Sequence, residues 1–176
     1  MSKDESRSPH AIDVPRWPAI GLANDHAGFL LKGFVSGVLA QHCDQVIDVG
    51  AMSESPVDFP DVTRKGISLI QEGKVKRGIL VCGTGPGACI AANKIPGIRA
   101  AVCHDTFVAR QAVEHDDVNV LCIGAWIIGP QVARDVIETF LASEFSTEEH
   151  FRRRVEKLGD LEREAARALI DGRRFP

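Results

Sequence analysis

Five short apolar runs constrain this chain more than anything else in it. "PAIGLAND", "QVIDVG", "GILVC", "GIRAAVC" and "VNVLCIG" carry hydrophobic residues at consecutive positions rather than at every second one. A strand of that kind has both faces to cover. Between the runs lie segments with helical spacing. Phe29 to Leu39 places Phe29, Leu30, Phe34 and Val38 on one side, and further segments run from Ala88 to Lys94, Thr106 to His115 and Gln131 to Leu141. Another runs from Val62 to Glu72, with Asp61 as a candidate cap. Doubly covered strands alternating with helices predict an α/β fold: a parallel five-stranded sheet with helices on both faces and right-handed crossovers. In such a sheet, ligands bind beyond the carboxyl ends of the strands. That rim collects "NDHAG", "CGTGPG", "CHD" and the residues after "LCIG", although the strand order is not legible.

At 176 residues the chain has room for one core and not for two ordinary domains. Residues 1–17 are polar, hold two of the prolines and lack periodicity, so they read as a flexible tail, and residues 18–176 as a single domain. The last segment, Thr147 to Leu169, is a charged amphipathic helix with Val155, Leu158, Leu161 and Leu169 on one side and a basic start, "FRRRVEK". A helix placed after the last strand predicts packing on a partner subunit, hence a homodimer. A net charge of -3 gives no reason to expect nucleic acid, and no run is long enough to span a membrane. Cys43, Cys82, Cys89, Cys103 and Cys122 form no C-x-x-C pair. They read as reduced thiols of a cytoplasmic protein rather than as disulfides or a zinc site.

The stretch "GILVCGTGPGACIAANK" admits two chemistries. Gly83, Gly85 and Ala88 satisfy G-x-G-x-x-A between a strand and a helix, and Asp105 stands where a ribose-binding acid would sit. On that reading the protein is an NAD(P)-dependent oxidoreductase. Against it, the turn follows the third strand, no room remains for a catalytic domain, and Cys82 has no task. No Gly-Lys-Ser/Thr follows, so the turn is not a nucleotide-triphosphate loop, and no arginine follows the thiol as in cysteine phosphatases. The other reading uses Cys82 as a base. Glycine amides and a helix N-terminus favour a thiolate and bind a developing oxyanion, with Thr84 adding a hydroxyl. A thiolate beside an oxyanion-binding turn suits proton transfer next to a carbonyl, as in aldose–ketose isomerisation. Cys82 as a small core residue stays open beside both.

These residues resemble the ribose-5-phosphate isomerase B family, which includes galactose-6-phosphate isomerase subunits. The resemblance rests on "NDHAGFLLK", "DFPD", "GILVCGTGPGACIAANKIPGIRAAVCHD", "EHDDVNVLCIG" and "RRRVEKL", in that order, over roughly Ile20 to Leu161. It implies a Rossmann-like sheet and a dimer with sites between subunits, pairing into tetramers being left open. It implies no metal and no organic cofactor. It assigns Cys82 as the base, Thr84 with the amides of Gly83, Gly85 and Gly87 as the enediolate loop, and Asp25 and His26 as sugar contacts. His115 would help to open the sugar ring, and Arg154 would grip the phosphate. Each has a plainer alternative: His26 as a cap, His115 as a helix-end histidine, Arg154 as one arginine among three.

The chain departs from the family's pattern at four places. Asp116 stands where asparagine is usual, Trp126 where a phosphate-binding arginine is usual, His150 for a second arginine, and Phe59 for a tyrosine. Arginine clamps on phosphate are not easily replaced. The departures therefore predict a small sugar phosphate, pentose or tetrose, other than D-ribose 5-phosphate. A sugar-binding relative without catalysis is the remaining alternative.

Overall fold

The computed structural model describes residues 12–172. The expected tail therefore lies outside the described residues up to position 11. Its far end does not reach residue 17, because Trp17 opens the first strand and its indole N–H donates to Leu141 O at 3.3 Å.

The elements run β1 (Trp17–Asn24), α1 (Phe29–His42), β2 (Cys43–Asp48), α2 (Phe59–Gln71), β3 (Gly78–Cys82), α3 (Pro86–Ala92), β4 (Ala100–Val102), α4 (Thr106–Asp116), β5 (Val120–Gly124), α5 (Pro130–Ala142) and α6 (Glu149–Ile170). The five strands form one sheet in the order β2-β1-β3-β5-β4. Every pair is parallel, as doubly covered strands require.

Successive residues of β3 serve opposite faces. Ile79 and Val81 join Ile20, Leu22, Leu121 and Ile123 beneath α1, α4 and α5, where Val35, Leu39, Val113, Ile137 and Phe140 close the first core. Leu80 and Cys82 join Ala23, Val120 and Cys122 on the other face, beneath Val62 and Ile67 of α2 and Ala88 and Ala92 of α3. Helices therefore cover both faces, as the apolar runs require.

Element boundaries differ from the expected ones where turn chemistry decides. α2 begins at Phe59, with Asp58 at the N-cap position and Asp61 inside the first turn, so Asp61 is not its cap. The reason is Pro60, which fits a first helical turn because its missing N–H has no partner there. α1 runs straight into β2 without a loop. The Asp105 side chain caps α4 by accepting from Val108 N at 2.8 Å.

α6 has no buried residue. Leu158, Leu161, Leu169 and Ile170 are exposed along it. Among the described residues no helix is long and apolar enough to cross a membrane. All five cysteines are free, and only Cys89 is not buried.

Candidate active site

The chain moves outward from β1 to β2, then returns past β1 to build β3 and the other half of the sheet. The helices that follow β1 and β3 consequently leave on opposite faces, and the carboxyl ends of these two neighbours part. A crevice opens there, lined by Asn24, Asp25, Phe59, Thr63, Cys82 and Ala88. This is the switch point at which open parallel sheets take their ligands.

Its walls depend on close backbone approach. A Cβ at Gly28 would lie 2.1 Å from Val81 O, so only glycine lets the start of α1 press against β3. Asp25 is fixed twice: its amide donates to Val81 O at 3.2 Å, and its Oδ1 accepts from Gly28 N at 2.9 Å. His26 Nδ1 accepts from Val57 N at 3.3 Å, which makes Nε2 the protonated nitrogen of the neutral ring. Neither residue is a helix cap: Gly28 holds that position.

Cys82 ends β3 with 6% of its surface exposed. Gly85 N donates to its Sγ at 2.9 Å. Gly85 can turn back in this way because its φ is +100°, a region that L side chains rarely enter. Thr84 is exposed between the two buried glycines. Of the three loop amides, that of Gly85 points at the sulfur.

β5 lies beside β3 and fixes the roof of the loop. Ala125 N donates to Cys82 O at 2.8 Å, and Trp126 N to Gly83 O at 3.0 Å. The Trp126 ring rests on Gly83, where a Cβ would come within 2.8 Å of it, yet the side chain is 72% exposed. His104 Nε2 accepts from Gly124 N at 3.0 Å and so braces the same corner.

The remaining candidates form a second cluster. His115, in the last turn of α4, stacks on Phe151 with ring centroids 4.0 Å apart and planes 12° apart. His150 lies against Phe151 at 3.9 Å, and its Nδ1 is 3.4 Å from Glu148 Oε2. The Arg154 guanidinium sits 5.8 Å from the Phe151 ring centre. Asp116 is exposed at the end of α4. α4 runs antiparallel to the strands, so this cluster lies at the opposite edge of the sheet from Cys82. β5 alone separates the two edges by roughly 13 Å at about 3.3 Å per residue.

One chain therefore brings together Asp25, His26, Cys82, Gly83, Thr84, Gly85, Gly87 and Trp126. It holds His115, Asp116, His150 and Arg154 apart from them. Sequence reading missed Asn24 and Thr63 in the crevice, His104 behind it, and Phe151 at the centre of the second cluster. Phe151 had a signal, a lone aromatic opening a basic run. His104 had only its place in "CHD" at the shared rim. The ribose-binding role considered for Asp105 meets a side chain already engaged in capping α4.

The Ribose/Galactose Isomerase family profile matches residues 20–158. Ribose-5-phosphate isomerase B of Escherichia coli strain K12 is 36% identical over 143 residues, which are 81% of this chain and 95% of that protein. D-erythrulose-4-phosphate isomerase of Pectobacterium atrosepticum is 41% identical over 129 residues, which are 72% of this chain and 84% of the relative. Among solved structures, ribose-5-phosphate isomerase B of Clostridium thermocellum superposes with a TM-score of 0.80 at 40% identity, covering 84% of this chain and 99% of that one. The loop that holds Cys82 and the second-cluster residues His115, Asp116, His150 and Arg154 all fall inside the matched span, and the chain belongs to the Ribose/Galactose Isomerase family of aldose–ketose isomerases.

Proposed function

We propose that this protein interconverts the aldose and ketose forms of a small sugar phosphate, with Cys82 as the base. The observation that carries the proposal is the Cys82 sulfur at the switch-point crevice, with the Gly85 amide on it and Asp25 beside it. A Cys82 thiolate takes the proton from the carbon next to the carbonyl. The C–H electrons become the double bond of an enediolate, and the carbonyl oxygen takes the negative charge. The same sulfur then returns the proton to the former carbonyl carbon, while the proton of the adjacent hydroxyl passes to the charged oxygen, so that a hydroxyl replaces the old carbonyl and the new carbonyl forms beside it. Thr84 and the amides of Gly83 and Gly87 are the donors for the oxyanion, each good donor contributing about 3–4 kcal/mol to the barrier reduction.

A small sugar cannot reach both clusters of one chain. The proposed working unit is accordingly a homodimer, in which the α4–α6 corner of one copy closes the crevice of the other. His115 then faces the ring oxygen of the sugar, with Asp116 beside it, and Arg154 and His150 face its phosphate. The exposed leucines of α6 are the surface available for such pairing.

Trp126 narrows the choice of substrate. It puts an apolar ring over Gly83 where the family pattern leads one to expect a cation. We infer that a tetrulose phosphate, or another short phosphorylated sugar, is turned over better than D-ribose 5-phosphate. A relative named D-erythrulose-4-phosphate isomerase is consistent with this.

The test is proton NMR in deuterium oxide with four- to six-carbon aldoses and ketoses, phosphorylated and free. Deuterium should appear next to the carbonyl together with interconversion, and Cys82→Ala should abolish both without loss of fold. Turnover retained by Cys82→Ala removes the thiol from the mechanism. Efficient turnover of D-ribose 5-phosphate in preference to the tetrose phosphates removes the substrate reading.

A further inference from the structure

Asn24 ends β1 next to Asp25 and leaves one of its own oxygens without a partner. The residue is 2% exposed, and among the described residues its Oδ1 is the one buried side-chain polar atom that no group in the chain bonds. An orphaned buried acceptor costs stability, so something must hold the amide in that orientation. The other half of the amide shows what does. Nδ2 donates to Asp25 O at 2.9 Å and to Ala51 O at 3.4 Å. Turning the amide over would set Oδ1 against two carbonyl oxygens. Alternation along β1 puts this side chain on the face of Ile20 and Leu22, beneath α1, while Cys82 serves the other face. Asn24 therefore holds main chain rather than the sulfur.

The second carbonyl leads to Lys32. Ala51 O also accepts from Lys32 Nζ at 2.8 Å, and Ala51 N donates to Asn24 O at 2.8 Å. Lys32 lies in the first turn of α1 and is 8% exposed. An ammonium has three donors, and here each has a partner: Ala51 O, Asp48 Oδ2 at 2.8 Å and Met52 Sδ at 3.6 Å. Asp48 uses its other oxygen to accept from Gly50 N at 2.9 Å. The turn at 50–52 is thereby pressed onto Asn24. A Cβ at Gly50 would come 2.0 Å from Asn24 Oδ1, so only glycine fits there.

We propose that Asn24 is a positioning residue of the isomerase, whose amide carries the hold of Lys32 on the 50–52 turn to the main chain of Asp25. The link runs from Lys32 Nζ through Ala51 O and Asn24 Nδ2 to Asp25 O. Asp25 in turn accepts from Gly28 N and donates to Val81 O, one residue before Cys82. A shift of the Asp25 main chain changes where its carboxylate stands against the sulfur. The orphaned oxygen is the stability given up for this fixation. The effect on turnover rests on the proposed place of Asp25 at the sugar, whereas the link itself does not.

The experiment compares full-length variants by calorimetry, by steady-state turnover on the best sugar phosphate, and by NMR of the Gly28 amide. Asn24→Leu keeps the branched shape while removing both the donor and the orphaned acceptor. Its kcat should fall about tenfold with KM little changed, as expected for a small displacement of a reacting group. Its Tm should move by less than about 4 °C, and its Gly28 amide resonance should shift. Lys32→Met should lower kcat by a similar factor. Because the two residues act through one link, the double variant should lose no more than the larger single loss. Asp48→Asn removes the ion pair but keeps an oxygen for Gly50 N, and should lower Tm with kcat and the Gly28 amide unchanged.

Wild-type kcat in a folded Asn24→Leu overturns the proposal, as does an unmoved Gly28 amide. Losses that multiply in the double variant also overturn it, since they show two independent effects. Should Asn24→Leu not fold, Lys32→Met and Asp48→Asn decide, and equal kcat in the two overturns the link. A loss of kcat in Asn24→Leu beside turnover retained by Cys82→Ala supports the link and locates the error in the choice of base.

Discussion

Replacing Gly124 by alanine should displace the catalytic loop without touching any side chain in it. A Cβ at Gly124 would lie 2.8 Å from each of Cα, C and O of Thr84. Ordinary carbon contacts begin about 0.6 Å further out, and the atoms that must retreat are backbone. β5 cannot retreat, because it is hydrogen-bonded to β3 on one side and β4 on the other. The 83–85 loop must therefore shift by about half an ångström against the bonds that hold it, Gly85 N to Cys82 Sγ and Trp126 N to Gly83 O. Overpacking of this kind costs about 1–3 kcal/mol. For a chain of this size that corresponds to a fall in Tm of about 2–12 °C. A shift of 1 Å at reacting groups costs about a hundredfold, so half of that should cost about tenfold in kcat, with KM less affected. Calorimetry and steady-state turnover measure the two effects on one preparation. Wild-type Tm together with wild-type kcat would mean that Thr84 does not lie against β5 as described. A lowered Tm with unchanged kcat would mean that the position of the loop does not govern proton transfer.

Gly33 and Gly37 give the opposite sign: both lie in exposed positions within α1 with open space where a Cβ would go. Alanine at each should raise stability by about 0.5–1 kcal/mol, read as a rise in Tm, and an unchanged or lowered Tm would show that something covers that face. Alkylation of Cys89 by iodoacetamide should rise with pH through a midpoint of about 7, since the thiolate is the nucleophile, while Cys103, pushed up to about 12 by burial, stays unlabelled. Peptide mapping across pH 5–9 checks this, and a Cys89 midpoint near that of a free thiol would mean that hydrogen bonding, from Cys122 first and from Asn93 after it, does not hold the thiol low. Trp126→Arg should raise kcat/KM for D-ribose 5-phosphate by about ten- to a hundredfold, the worth of one charge-assisted bond to phosphate. No gain in a side-by-side assay with a tetrulose phosphate would place the specificity elsewhere.

How far the sequence was legible depends on how local each cause is. The sheet's direction and its two coverings follow from runs such as "GILVC", where Ile79 and Val81 serve one core and Leu80 and Cys82 the other. Because both faces are apolar, the same runs carry nothing that ranks the strands, so the neighbourhood of β3 and β5 was not readable. What depends on it was not readable either: Trp126 on Gly83 and His104 behind Gly124. The start of α2 was misplaced because Pro60 reads as a loop signal when taken alone and as a first-turn residue once Asp58 precedes it. His115 and Arg154 were recognisable as a family signature. That they face away from Cys82 follows from the direction of α4, which must run back to the edge where β5 begins.

The two backbone bonds that tie Ala125 and Trp126 to Cys82 and Gly83 have a consequence for inheritance. They set the side chain at position 126 at a fixed offset from the sulfur, whatever that side chain is. On the role proposed for Trp126, a change of one codon there exchanges the group that meets the far end of the sugar while leaving the proposed proton-transfer geometry as it was. On that proposal, a lineage carrying this sheet can move from one phosphorylated sugar to another without first dismantling its catalyst.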